Sequence, residues 1–230
     1  MKRAAQSSES LEIAIVLALS GGLMDAYSYL GRGEVFANAQ TGNMLLLGIG
    51  VAQGDWARCV HYALPVLSFA VGIALAHTIR LRSREHHLHW RQAALVAEAL
   101  ILAAVALVPG TQNLLANSLT SLACGIQVQA FRKLHGHAFA TTMCIGNLRS
   151  GTQELVTYAH THERGRLESG LVYYFVIVCF VLGAVLGNVA LDWLGLRAIL
   201  VSVALLAVAF AIMVVDREKR AHAAAANGVE

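Results

Sequence analysis

The sequence predicts an all-α polytopic membrane protein: about six spanning helices plus two short re-entrant or broken helices, in an inverted-topology duplication of a 3+1 unit. Three observations carry that expectation: the composition, the internal similarity of the two halves, and the placement of the basic residues. Of 230 residues, 57% are hydrophobic and only 13% charged, with a mean hydropathy of +0.60. Water-soluble domains carry about 25% charged residues. The same figures exclude a disordered or collagen-like chain. A net charge of +3, clustered between apolar runs, leaves no basic stripe for nucleic acid.

Taken in order, the apolar segments fall at about 11–31, 36–52, 60–80, 92–108, 113–134, 138–158, 171–192 and 197–215. The start, Met1-Lys2-Arg3, resembles a secretory signal. The apolar run from Leu11 nevertheless continues past Ser20-Gly21-Gly22 to Leu30, so an uncleaved first span is expected. Six segments approach the roughly 20 residues that a span requires. The second is interrupted by Asn38, Gln40, Thr41, Gly42 and Asn43, and the sixth by Thr141, Thr142, Asn147, Arg149, Gln153 and Glu154. Neither can face lipid throughout, because a charge at the bilayer centre costs about 2.5–3.5 kcal/mol on the insertion scale.

The halves 11–108 and 113–215 read as copies within one membrane domain, 1–230, with 217–230 as a frayed, disordered cytoplasmic tail. Gly21 aligns with Gly125, Tyr27 with Phe131 and Gly42-Asn43 with Gly146-Asn147 at a spacing of 104. Phe69, Gly72 and Leu75 match Phe180, Gly183 and Leu186 at 111. Basic residues then set orientation: Lys2 and Arg3, Arg80 to Arg91, Arg132 and Lys133, Arg164 and Arg166, and Arg217 to Arg220 belong on the cytoplasmic side. All five clusters share that side only if the two polar segments enter and leave by the same face. Both termini are then cytoplasmic, and the second copy is inverted. The two Gly-Asn breaks would meet across the pseudo-axis, where helix N-termini offer free N–H groups to an anionic or polar ligand.

At these residues the chain resembles a known family. Gly22-Leu23-Met24-Asp25-Ala26-Tyr27, then Phe36-Ala37-Asn38-Ala39-Gln40-Thr41-Gly42-Asn43 and Leu47-Gly48, are similar to the signature of the YoaK family of bacterial integral membrane proteins, domain of unknown function 1275. Gly125-Ile126-Gln127-Val128-Gln129-Ala130, with Arg132 and Thr141-Thr142, resembles that family's second half. Gln129 replaces an Asn and Ile145 a Thr of the family pattern, so the second site differs in its hydrogen bonding. The resemblance implies an inner-membrane location and brings no activity with it.

Asp25 is the one acid read as deeply placed, and an ionisable group inside a span is a functional hypothesis. It either carries a coupling proton or cation, or pairs structurally with Arg132 or Arg149. Asn38, Gln40, Thr41 and Asn43 either line a solute path or satisfy backbone freed by the break. Gln127, Gln129, Thr141, Thr142, Gly146 and Asn147 form the corresponding set, with interhelical bonding as the alternative. Arg132, Arg149 and Glu154 are read as gating or ion-pair residues.

Cys59, Cys124, Cys144 and Cys179 are too scattered for a metal site and read as packing residues; the histidine-rich loops match no tetrahedral spacing. No catalytic or cofactor fingerprint is present, so neither an enzyme nor a cofactor is expected. The small-residue pairs Gly72/Ala76 and Gly183/Gly187 allow close helix approach, within the chain or in a homodimer. The functional expectation is a secondary transporter or channel-like permease for a small polar or anionic solute; a non-transporting membrane scaffold or stress-related factor is the alternative, and a membrane-embedded enzyme ranks third. A polar cavity joining Asp25 to both breaks would favour the first.

Overall fold

The computed structural model describes residues 11–82, 87–131, 133–134, 137–138 and 144–226. It is helical almost throughout, as a chain lacking water partners for its backbone must be. The order is α1 (Leu11–Gly31), α2 (Gln40–Gln53), α3 (Trp56–Arg82), α4 (His87–Val105), α5 (Asn113–Ala130), a two-rung hairpin of β1 (Lys133–Leu134) and β2 (His137–Ala138), then α6 (Cys144–Thr161), α7 (Arg164–Leu194) and α8 (Ile199–Ala226). Among the described residues three stretches are long and apolar enough to cross a membrane: Leu11–Gly31, Trp56–Arg82 and Arg164–Val215, the last holding α7 and much of α8. At 14 residues α2 is about 21 Å long, short of the roughly 30 Å hydrocarbon core.

Boundaries depart from the sequence reading most clearly around the α5–α6 connection and after residue 216. The fifth apolar segment stops being helical at Ala130, and the sixth begins its helix only at Cys144. The segment 217–226, expected to fray, continues α8 to Ala226; it is rich in Ala, Lys, Arg and Glu, all strong helix formers.

Glycines govern the helix crossings. A Cβ on Gly22 of α1 would collide with the α7 backbone at Phe180 and Ala184, and one on Gly183 with the α1 backbone at Leu19. Gly187 lies against Leu23 and Ala26, and Gly31 against Leu191, so positions advance together and α1 runs parallel to α7. The same contact recurs between α3 and α5. Gly72 meets Leu122 and Ile126, Gly125 meets Phe69 and Ile73, and farther along Gln129 bonds His77. The small-residue pairs therefore pack inside the chain. The equivalences are Leu19 with Leu122 and Gly22 with Gly125, a spacing of 103, so at this crossing the true partner of Gly125 is Gly22, not Gly21.

The end of α1 and the start of α3 lie together, because His61 Nε2 is 2.8 Å from the Gly33 carbonyl oxygen. On that face one side chain gathers three connections. Arg32, fully buried, donates to Tyr27 Oη (2.8 Å), to the Val105, Val108 and Pro109 carbonyls after α4 (3.2, 2.9 and 3.3 Å), and to Asn113 Oδ1 (3.3 Å). Tyr27 Oη in turn donates to the Leu196 carbonyl between α7 and α8 (3.1 Å).

Candidate functional site

Asp25 sits in the last third of α1, and the chain that follows folds back onto it. Gly33 and Glu34 adopt positive φ (88° and 61°), which turns residues 35–39 inward before α2 begins. The Asn38 N–H then donates to Asp25 Oδ1 at 2.7 Å, with the Ala37 and Ala39 amides directed at the same carboxyl. A carboxylate at the beginning of a helix meets unpaired N–H groups and the positive end of the helix dipole. The amides expected to greet an anionic ligand at the first break are thus occupied by the protein's own acid.

The polar residues around it turn mostly inward. Asn38 Nδ2 donates to the Gly21 carbonyl (3.1 Å), and Gln40 Nε2 to the Ala37 carbonyl (2.8 Å) and Ser121 Oγ (3.3 Å). Asn43 accepts from the Phe36 N–H (3.0 Å) and donates to the Phe36 carbonyl (2.7 Å) and Gln40 Oε1 (2.8 Å). Of the two sequence readings, satisfaction of freed backbone describes Asn38, Gln40 and Asn43. Thr41 remains exposed, and Gly42 is pressed against the Phe36 ring, where a Cβ would meet Cδ2 at 2.7 Å.

Beside Asp25 opens a cavity of about 1250 Å³. It is bounded by α1, the start of α2, Val66 to Ile73 of α3, the first turn of α6 and Phe180 to Asn188 of α7. It joins Asp25 to the beginnings of both interrupted segments, as expected, since Thr41 and Gly146 both line it. Its walls are not polar, however: Val66, Phe69, Ile73, Phe180, Val181 and Val185 dominate, with Asp25, Asn38, Gln40, Thr41 and Asn188 as a polar minority.

The remaining second-copy residues are dispersed. Gln129 pairs with His77 at 2.9 Å; Gln127 donates to the Leu17 carbonyl at 3.5 Å; Asn147 is buried and Gly146 exposed. Arg149 is exposed, and Glu154 pairs not with it but with Arg166 at 3.1 Å, tying α6 to the start of α7. Arg132, Thr141 and Thr142 lie outside the described residues.

Two charged residues escaped the sequence reading, which recognised Asp25 alone at depth. Arg32 and Glu98 are both fully buried. Glu98 occupies the middle of α4 on the stripe Leu95, Glu98, Leu102 and Val105. Its signal was available: an acid at the centre of the 92–108 segment meets the same intramembrane criterion as Asp25.

The family described as Protein of unknown function (DUF1275) matches residues 13–212. The UPF0700 transmembrane protein YoaK of Bacillus subtilis (strain 168) is 26% identical over 180 residues, covering 74% of this chain and 79% of that protein. No solved structure matches.

Proposed function

The chain belongs to the DUF1275 family, the YoaK family of membrane proteins, and on that premise we propose that it is a small secondary transporter or channel-like permease of the bacterial inner membrane. The observation that carries this reading is the cavity, which takes equivalent positions from both halves: Phe69 and Phe180, Ile73 and Ala184, Gln40 and Cys144, Thr41 and Ile145. A cavity astride a pseudo-axis is where an inverted repeat can present one site alternately to either side. Six spans, with α2 and α6 re-entrant, agree with the parallel pairs α1/α7 and α3/α5 and with the His61 to Gly33 contact across the ends of α2. Both termini and the basic connections then lie in the cytoplasm.

The walls revise the expected solute. An anion would meet the Asp25 carboxyl with its amides already taken, inside apolar walls that cannot solvate it. The better fit is a solute with an apolar body and one cationic or donor-rich pole held by Asp25. That carboxyl, close to solute and reachable by protons, is also the coupling group of the proposed cycle.

Proteoliposomes test the reading through proton-gradient-driven uptake of tetraethylammonium against benzenesulfonate, two permanently charged ions that do not cross the bilayer unaided. The cation is expected to accumulate and the anion not, with uptake lost in Asp25→Asn. Absence of cation uptake, or equal uptake of the sulfonate, overturns it.

A further inference from the structure

Glu98 is unlike every other acid among the described residues. It has no solvent exposure, and neither carboxyl oxygen has a hydrogen-bond partner. Glu12, Glu34, Glu163 and Glu168 are exposed, and Glu154 is paired with Arg166. An isolated carboxylate in an apolar interior is so costly that the group takes up a proton instead.

Among the described residues no cationic group is paired with Glu98. From α5 comes the Cys124 thiol, which lies within electrostatic reach of both Glu98 and Asp25. α4 packs against α8, whose buried Leu206, Ala209 and Met213 share one apolar cluster with Leu95 and Leu102 of α4. On α4 itself Arg91 is seven residues away, about 10 Å along the axis. The Arg32 guanidinium caps the end of the same helix, bonded to Val105 and Val108. Cys124 also lies beside the Asn38 side chain, whose Oδ1 is buried without a partner, while the Asn38 amide holds Asp25. The Cys124 thiol itself donates to Met24 Sδ at 3.7 Å, so Glu98 is not joined to the cavity by hydrogen bonds.

We infer that Glu98 is a second proton-binding site within the membrane domain, holding its proton as a neutral acid in a closed interior where neither carboxyl oxygen has a partner. The inference stands whether or not the protein moves a solute.

Isotope-edited infrared spectroscopy of the full chain in phosphatidylcholine vesicles tests it. At neutral pH a protonated-carboxyl C=O band is expected that shifts when glutamate carboxyls carry 13C, stays put when aspartate carboxyls do, and vanishes in Glu98→Gln. No glutamate-sensitive band in the wild-type protein, or its survival in Glu98→Gln, overturns the site; the wild-type label experiment decides even if that variant fails to fold.

Discussion

Replacing Arg32 tests whether the face opposite the basic clusters is held by one side chain. Its guanidinium makes two short bonds, to Tyr27 Oη at 2.8 Å and the Val108 carbonyl at 2.9 Å, and three longer ones at 3.2–3.3 Å. It also stands 5.5 Å from the centre of the Tyr27 ring, within cation–π range. Bonds to a charged donor contribute roughly 1.5–3 kcal/mol each, and their loss leaves acceptors desolvated. Counting the short pair fully and the long three at a fraction gives about 4–6 kcal/mol for Arg32→Ala, comparable to the 5–15 kcal/mol that holds a typical protein folded. For a chain of this length that corresponds to a fall in Tm on the order of 10–20 °C, measurable by fluorescence unfolding in a mild detergent. Arg32→Lys, which keeps the charge but offers only three donors without the planar fork, is expected to fall between. A melting point for Arg32→Ala within 2–3 °C of wild type, roughly 1 kcal/mol, would refute the hub.

The helix crossings predict a paired response. Gly183→Ala and Gly72→Ala should each cost at least the 1–3 kcal/mol of overpacking, because their new methyl groups meet backbone; Gly48→Ala, with open space around it, should gain about 0.5–1 kcal/mol, all read from detergent melts. Asp25→Asn should leave the melt nearly unchanged, whereas Asp25→Leu should lose several degrees by orphaning the amides at the start of α2. A cysteine at Asp55, in a cysteine-free background, should react with an impermeant maleimide added from the periplasmic side; labelling only from the cytoplasm would mean that α2 crosses. Glu154→Gln exposes a surface pair, so it should change stability by less than about 1 kcal/mol and shrink further in salt.

Much of the scaffold was legible because its causes are local or periodic. Gly72 and Gly183 announced close crossings by the mere absence of side chains in otherwise bulky apolar runs, and the duplicated pattern argued that they pack within the chain. The register was less legible. In an alanine- and leucine-rich helix Gly21 and Gly22 align equally well, and only the contact of Gly22 with Phe180 decides between them. The site was read by composition rather than by destination: a run such as Asn38, Gln40 and Asn43 has the same residues whether its amides face a solute or its own carbonyls. Hydrogen-bond direction is a tertiary property, set here by the turn at Gly33 and Glu34 that brings residues 37–39 onto Asp25. Arg32 was passed over because a single basic residue beside a span ordinarily reports topology. Buried against carbonyls, it reports packing instead, which explains its position away from the basic clusters.

The repetition also separates support from chemistry. At the spacing of 103 that aligns the crossings, Asp25 corresponds to Val128; at the spacing of 111 that aligns α3 with α7, the buried stripe Leu95, Glu98 and Leu102 of α4 corresponds to the buried Leu206, Ala209 and Met213 of α8. Glycines and large apolar residues match across the copies, while both deep acids stand opposite apolar partners. A structural need imposed by the duplicated architecture would fall on both halves alike. An intramembrane acid carries a cost that packing alone does not require, and this chain bears that cost twice in the same half, on either side of Cys124. In the proposed transport reading the first half carries the chemistry, while Phe180, Ala184 and Val185 of the second line the opposing wall of the cavity.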